Sequence, residues 1–439
     1  MNLDHVLGLE CTICGAVYGV NEVDYVCPGH GDDGILDVLY DYDLVSQRID
    51  PDRLRDNPMQ SIWRYMPLLP VDPETAEQLA RGTSLSTVGW TPMYPAPRIA
   101  GDLGLDHLWV KDDSRQPTAS LKDRASAVAV VKTHEQHYDV VTTASTGNAA
   151  AALSGLCAAV GQPNVIFVPR SAPEAKIAQL LAYGSTVLLV DGSYDEAFEL
   201  CLEVARRFDW YNRNTGYNPY MSEGKKTVIY EVCEQLGLAT RPSQGWQTPD
   251  AVFVPVGDGC IIGGVHKGLR DLLALGWIDR MPRIVGVQAE GSSPLVDAWQ
   301  RGLSPLEMEP VEAHSVADSI VAGLPRDRIK ALRAARETGG AYVSVSDREI
   351  LDAIPSLAQG CGVFAEPAAA AALAGLTKAV NRGMIGCGDR VVILSTGSGL
   401  KDVASVLDAI EKQPPVVEPT LAAAERVLGH DAQLFDIRL

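Results

Sequence analysis

The chain has 439 residues, a formal net charge of −19 and 46% hydrophobic residues. That length suits two to three domains, and the apolar share excludes wholesale disorder. The acidity speaks against nucleic acid or an anionic membrane as a main partner, so no partner of either kind is expected. No apolar run reaches the 18 residues of a membrane span. Met1–Glu10 lacks the basic start and apolar core of a signal peptide, and nine cysteines without a secretion signal point to a cytoplasmic location.

In chain order, residues 1–45 read as a small separate unit. Cys11-x2-Cys14 and Cys27-Pro-Gly-His30 are two knuckles with twelve residues between them. Two-residue gaps let each knuckle grip one ion from two sides, and three cysteines with one histidine suit structural tetrahedral zinc. The pair resembles a zinc ribbon, the alternative being a degenerate ribbon that keeps its fold without metal. Residues 46–90 read as a polar, proline-spotted linker with a short helix near Pro73–Arg81. A strand at Leu108–Val110 leads to the loop Pro117–Arg124. From Val140 the chain alternates: strands at 140–143, 164–168 and 186–190, and helices at 148–160, 173–183 and 196–208. The last helix carries Ala197, Phe198, Cys201, Leu202 and Ala205 on one face. A second series has strands at 251–256, 284–288 and 391–394, with helices near 264–275, 347–359, 367–380 and 401–411. Strands alternating with helices indicate parallel sheets. The expectation is two α/β domains, 91–245 and 246–412, with the active site between them and a tail at 413–439. The strand ahead of the Pro117–Arg124 loop is expected to join the second domain.

Four segments carry chemistry. In Pro117-Thr-Ala-Ser-Leu-Lys-Asp-Arg124, Lys122 stands at a loop-to-helix junction behind small residues. Such a lysine is placed to reach a cavity and form a Schiff base with a carbonyl compound. The alternative is a solvated lysine paired with Asp123. In Gly257-Asp-Gly-Cys-Ile261 the glycines let backbone N–H groups turn toward one anion at a helix N-terminus. No Gly-Lys-Ser/Thr follows, so this is not a nucleotide-binding P-loop. Ser145-Thr-Gly-Asn148 lies on another strand-to-helix turn, where helix capping is the simpler role. The fourth segment is Ser395-Thr-Gly-Ser-Gly-Leu-Lys-Asp402.

In order and spacing, these segments resemble the threonine synthase-like family of fold type II pyridoxal-phosphate enzymes, relatives of the tryptophan synthase β chain. The resemblance covers roughly residues 90 to 410. It implies two doubly wound parallel-sheet domains, a pyridoxal 5'-phosphate cofactor, a small amino-acid substrate and a homodimer. It makes Lys122 the cofactor lysine and carrier of the α-proton, and the loop Gly257, Asp258, Gly259, Cys260, Ile261 the cofactor phosphate cradle. Asn148 would bond the cofactor's phenolic oxygen. Ser145, Thr146 and Gly147 would take the substrate carboxylate, and Thr396 would face the ring nitrogen. The chain departs from the family pattern with Gln116 for asparagine, Ala119 for glycine, Leu121 for phenylalanine and Ser398 for histidine. His30 stands where such ribbons usually have a fourth cysteine. Asn218–Thr227 resembles the family's Asn-Pro-x-Arg-x-Glu-Gly-x-Lys-Thr, with Met221 in place of the arginine that helps hold a substrate phosphate. Lys225 or Lys226 is a substitute to consider, though neither is a planar fork.

The implied function is a lyase or synthase that eliminates or replaces a β- or γ-substituent of an α-amino acid. The alternatives are an ammonia-lyase or β-replacement enzyme acting on threonine, serine, diaminopropionate or O-phosphoserine, and, in another class, a non-catalytic regulatory scaffold on the same fold. Glu290–Ser293 reads as a turn of open role, Glu366 as an acidic residue at a helix start, and the histidines outside the ribbon, His266 and His314 among them, as surface or core residues.

Overall fold

The computed structural model describes residues 3–145, 147–172, 174–240, 245–410 and 414–430. Thr146 and the boundary drawn at 412/413 fall outside them. Strands are numbered along the chain: β1 (Val6–Cys11), β2 (Val17–Tyr18), β3 (Leu36–Tyr40), β4 (Met93–Pro95), β5 (His107–Asp112), β6 (Val141–Ala144), β7 (Asn164–Pro169), β8 (Thr186–Val190), β9 (Tyr211–Asn212), β10 (Ala251–Pro255), β11 (Arg283–Ala289), β12 (Ala341–Val345) and β13 (Arg390–Ser395).

The first three strands form an antiparallel sheet in the order β2-β1-β3. Leu9, Leu36, Val38 and Tyr40 from this sheet share one hydrophobic core with Ile62, Trp63, Val128, Leu153 and Ile166. The small sheet is thus packed onto the body of the molecule.

The stretch 46–90, expected as a polar linker with a short helix near Pro73–Arg81, carries that helix at Pro73–Ala80 but is packed into the body of the molecule. Pro51 and Pro73 open helices Pro51–Arg55 and Pro73–Ala80 behind the caps Asp50 and Asp72, because proline is pre-set for the first helical turn and aspartate accepts the free N–H groups. Between them Ile62, Trp63, Tyr65, Leu68, Leu69 and Val71 are buried. Proline and polar content suggested a linker, but the aromatic and aliphatic residues among the prolines carry the packing.

The larger sheets order as β12-β11-β10-β13-β5-β4 and β8-β7-β6-β9. Every pairing in them is parallel except β4 with β5. Their β10, β11 and β7 are buried almost end to end, as strands covered on both faces must be. β5 pairs with β13 in the six-stranded sheet, so the chain ahead of Lys122 belongs to the sheet that forms later in the sequence. The helix expected near 264–275 begins earlier, at Cys260, and runs to Ala274. The glycine loop therefore leads directly into it.

Candidate active site

The four motifs sit at the carboxyl ends of parallel strands, where α/β sheets leave a crevice for ligands. Lys122 follows β5, Ser145 follows β6, Gly257 follows β10 and Thr396 follows β13. The register that sets Ser395 opposite Asp112 also joins the loops beyond. Leu121 N–H donates to the Thr396 carbonyl at 2.9 Å, and Ser398 N–H to the Ala119 carbonyl at 3.1 Å.

Between the two sheets lies a cavity of about 650 Å³. Lys122, Ser145, Gly147, Asn148 and the whole loop Gly257–Ile261 line it. Thr396 is not among the lining residues. It is buried, with its carbonyl on the lysine loop.

Lys122 starts the helix Lys122–Glu135. Its partner is not Asp123, which turns back to Thr118 and accepts the Thr118 N–H at 2.6 Å together with the Thr118 hydroxyl. The next residue, Arg124, is locked between Asp113 at 2.7 Å and Glu231 at 2.5 Å. The lysine backbone is thus braced on both sides while its amine faces the cavity. Burial lowers the Lys122 ammonium from its ordinary value, and Arg213 works in the same direction. A lysine so depressed offers more of the free amine that carbonyl and proton chemistry need.

The glycine loop fits a phosphate. A Cβ on Gly257 would stand 2.9 Å from the Ile320 backbone, and Gly259 has φ +91°, a left-handed conformation that suits glycine. The helix Cys260–Ala274 points its N-terminus at the same place. Asp258 lines the cavity too. Burial raises its carboxyl, while the Arg326 guanidinium and backbone N–H pull the other way.

Asn148 donates from Nδ2 to Glu366 Oε1 at 2.7 Å. Glu366 is therefore not merely an acidic helix start: it is buried behind the lining residue Asn148, and burial pushes its carboxyl up to about 7. The Glu366-Pro367 pair gave no sign of this, because Asn148 lies 218 positions away. Several residues that do line the cavity escaped the sequence reading as well. Tyr194, Arg213, Asn214 and Thr215 face the cavity from the four-stranded side, and His314 and Ser319 from a segment after β11. The available signal was position: Arg213 directly follows β9, at a strand's carboxyl end. Glu290 does not line the cavity. Its carboxylate meets Lys378 at 3.1 Å.

At the resemblance's phosphate segment, Met221 is buried in the core with Tyr220 and Val131. Lys226 is bound to Glu223 at 2.5 Å and Asp271 at 2.7 Å. Lys225 instead donates to Thr215 Oγ1 at 3.2 Å.

A half-buried lysine on the cavity wall, a glycine loop at a helix N-terminus and a cavity large enough for a small aromatic ring system fit pyridoxal phosphate, and comparison with known proteins agrees. Residues 85–397 match the family model described as "Pyridoxal-phosphate dependent enzyme". A threonine synthase of Methanosarcina acetivorans is 38% identical over 96% of this chain and 98% of its own length. The chain belongs to the pyridoxal-phosphate dependent enzyme family. Within that family it is a threonine synthase-like lyase. The threonine synthase of Methanocaldococcus jannaschii is 34% identical over 95% of this chain and 98% of its own. The fold is fold type II: the processed form of threonine deaminase isoform 2 from Solanum lycopersicum superposes with a TM-score of 0.62 at 20% identity, over 77% of this chain and 89% of that one. Among the described residues, no helix is long and apolar enough to cross a membrane.

The ribbon forms a second cluster. The ligand atoms of Cys11, Cys14, Cys27 and His30 all lie within 4.8 Å of one another. His30 Nδ1 is 3.7 Å from Cys11 Sγ and 3.4 Å from Cys27 Sγ, close to the spacing of about 3.4–3.8 Å that tetrahedral zinc bonds impose.

Proposed function

We propose that this protein converts O-phosphohomoserine and water to threonine and phosphate. The observation that carries the reading is the relationship to a protein called threonine synthase over 96% of this chain and 98% of that one. In the balanced reaction, phosphate leaves the γ carbon with the electron pair of the C–O bond, and the oxygen of water ends on the β carbon. The γ carbon and the phosphate each gain a proton, one from the β carbon and one from water.

Pyridoxal phosphate, when bound, supplies an electron sink for the α and β carbanions. Lys122 would hold it by its amine and, once displaced by substrate, take the α-proton. The N–H groups of Gly257, Asp258, Gly259, Cys260 and Ile261 would receive its phosphate. Asn148 would reach its phenolic oxygen and Thr396 its ring nitrogen. Ser145, Thr146 and Gly147 would orient the substrate carboxylate. The buried Met221 supports a second reading, an ammonia-lyase acting on threonine, serine or diaminopropionate, because no arginine stands at that position.

A visible absorption titration of the purified, cofactor-loaded protein with O-phosphohomoserine, O-phosphoserine, threonine, serine and diaminopropionate decides between them. A spectral shift with O-phosphohomoserine, accompanied by threonine and phosphate, is expected. A keto acid from threonine, with no response to O-phosphohomoserine, would give the reaction to the second reading. Failure of all five substrates would favour the scaffold.

The same proposal assigns zinc to Cys11, Cys14, Cys27 and His30, with one zinc per chain expected from metal analysis. Four protein ligands leave no open position, so its role would be structural. A cytoplasmic location is supported by nine free cysteines. A homodimer is supported by the exposed stripe Leu400, Val403, Leu407 and Ile410, and light scattering at twice the chain mass would bear it out.

A further inference from the structure

Buried cations in this chain are paired with carboxylates. Arg64 has Glu234, Lys111 and Arg124 share Glu231, Lys132 has Glu135, and Lys330 has Asp37. An unpaired buried charge is expensive, so the pattern is expected. Among the described residues, Arg213 and Lys225 depart from it. Both are 0% exposed, and no carboxylate pairs with either. Arg213 donates from Nε to Ser126 Oγ at 3.2 Å and from Nη1 to Thr215 Oγ1 at 2.8 Å, while its Nη2 has no partner. Lys225 donates to the same Thr215 hydroxyl at 3.2 Å. Arg213 and Thr215 both line the active-site cavity. Two cations therefore converge on one neutral hydroxyl at the wall of a ligand site, one of them with an empty donor.

We infer that Arg213, with Lys225 and Thr215, forms the seat for the phosphate of a phosphorylated amino-acid substrate. The inference rests on the function proposed above and deepens it. It also resolves the missing arginine: position 221 is turned into the core, and a guanidinium from the end of β9 supplies the planar fork instead. The cofactor's phosphate has its own seat in the N–H groups of the glycine loop on the other sheet. The two seats are close, since Arg213, Thr215 and the glycine loop line the same cavity. Burial holds the Lys225 ammonium down to about 7 and Arg213 to about 10, and an arriving dianion would stabilise the charged forms of both.

The test uses the cofactor-loaded protein and inorganic phosphate as probe, followed by calorimetry, alongside KM and kcat for O-phosphohomoserine. Arg213→Gln is expected to weaken phosphate binding at least about tenfold, the loss of a charge-assisted bidentate contact. KM should rise by a similar factor, with the visible band of the bound cofactor unchanged. Arg213→Lys should fall between the two. Phosphate binding equal to wild type in Arg213→Gln overturns the inference. Loss of the cofactor band in that variant also overturns it, by giving the cations to the cofactor's phosphate. If wild type binds phosphate through Arg213 yet does not turn over O-phosphohomoserine, the seat stands and the proposed reaction fails. Should Arg213→Gln not fold, Thr215→Val gives the same readout: weaker phosphate binding is expected, and unaltered binding counts against the seat.

Discussion

Lys122 lines the cavity, Glu366 lies behind it on Asn148, and burial acts on the two in opposite chemical directions. Burial depresses the lysine and raises the acid, so both are drawn toward their neutral forms. Lys122→Ala should abolish turnover and the visible absorbance of bound cofactor, and turnover retained in that variant would remove the lysine from its role. Glu366 yields a pH prediction. Its carboxyl, ordinarily near 4.5, sits at about 7 in the fold. A raised carboxyl binds its proton more tightly in the folded chain. Its stabilising contribution is complete below the unfolded value and is lost as pH rises from about 4.5 through about 7. The loss is on the order of 3 kcal/mol for a group this buried. Asp123 is raised to about 7 as well and titrates in the same window, so the comparison must be between wild type and Glu366→Gln. Denaturant unfolding of cofactor-free protein from pH 4.5 to pH 8 should show a shallower decline in the variant. Equal declines would mean that Glu366 is ionised throughout.

The lysine loop, as an element, contains a strained residue. Ala119 has φ +63°, in the left-handed region where a Cβ is unfavourable, and this is where the family pattern has glycine. Gln116 and Ser398 hold it there, since Ala119 N–H donates to the Gln116 carbonyl and its own carbonyl accepts from Ser398 N–H. Ala119→Gly is expected to raise stability by up to about 1 kcal/mol, the relief of strain being offset in part by a freer unfolded chain. Ala119→Val should lower it by about 1–3 kcal/mol. Thermal unfolding of the three proteins checks the order; a Gly variant less stable than wild type would mean that Ala119 is unstrained. Elements differed in how legible they were, and the reason is burial. In the helix Tyr194–Phe208 the buried residues are Ala197, Phe198, Cys201, Leu202 and Ala205, the face that its periodicity marks. The helix Thr227–Thr240 went unread because Thr227, Glu231 and Glu234 are buried along with its apolar residues, which erases the polar face a periodicity needs. The glycine and lysine motifs were legible because their backbone demands admit few residues. Arg213 and Glu366 were not, because their partners come from distant chain.

At the scale of the whole molecule, the ribbon is joined to the helix that follows the glycine loop and to the helix packed against that loop. Asp37 on β3 meets Lys330 at 2.7 Å and Arg270 at 3.7 Å. Lys330 lies on the helix Arg328–Glu337 and Arg270 on Cys260–Ala274. Arg333 donates to the Thr12 carbonyl at 3.0 Å, and Tyr40 donates to Glu223 Oε2 at 2.6 Å. Arg328 meets Asp33 at 2.5 Å. Burial alone would raise the Asp37 carboxyl, but Lys330, Lys267 and Arg270 hold it well below the usual range. Breaking so buried a pair leaves uncompensated charge, so Asp37→Asn should cost about 3–5 kcal/mol. The contacts run from the sheet that bears Cys11 to the loop that would hold the cofactor's phosphate. Stripping the zinc proposed above with a chelator should therefore lower the melting temperature of the whole chain in one transition and weaken cofactor binding with it. Asp37→Asn should weaken cofactor binding even with metal present, because it cuts the link and leaves the knuckles intact. Two separate unfolding transitions, with cofactor affinity untouched by the chelator, would show instead that the ribbon folds and unfolds on its own.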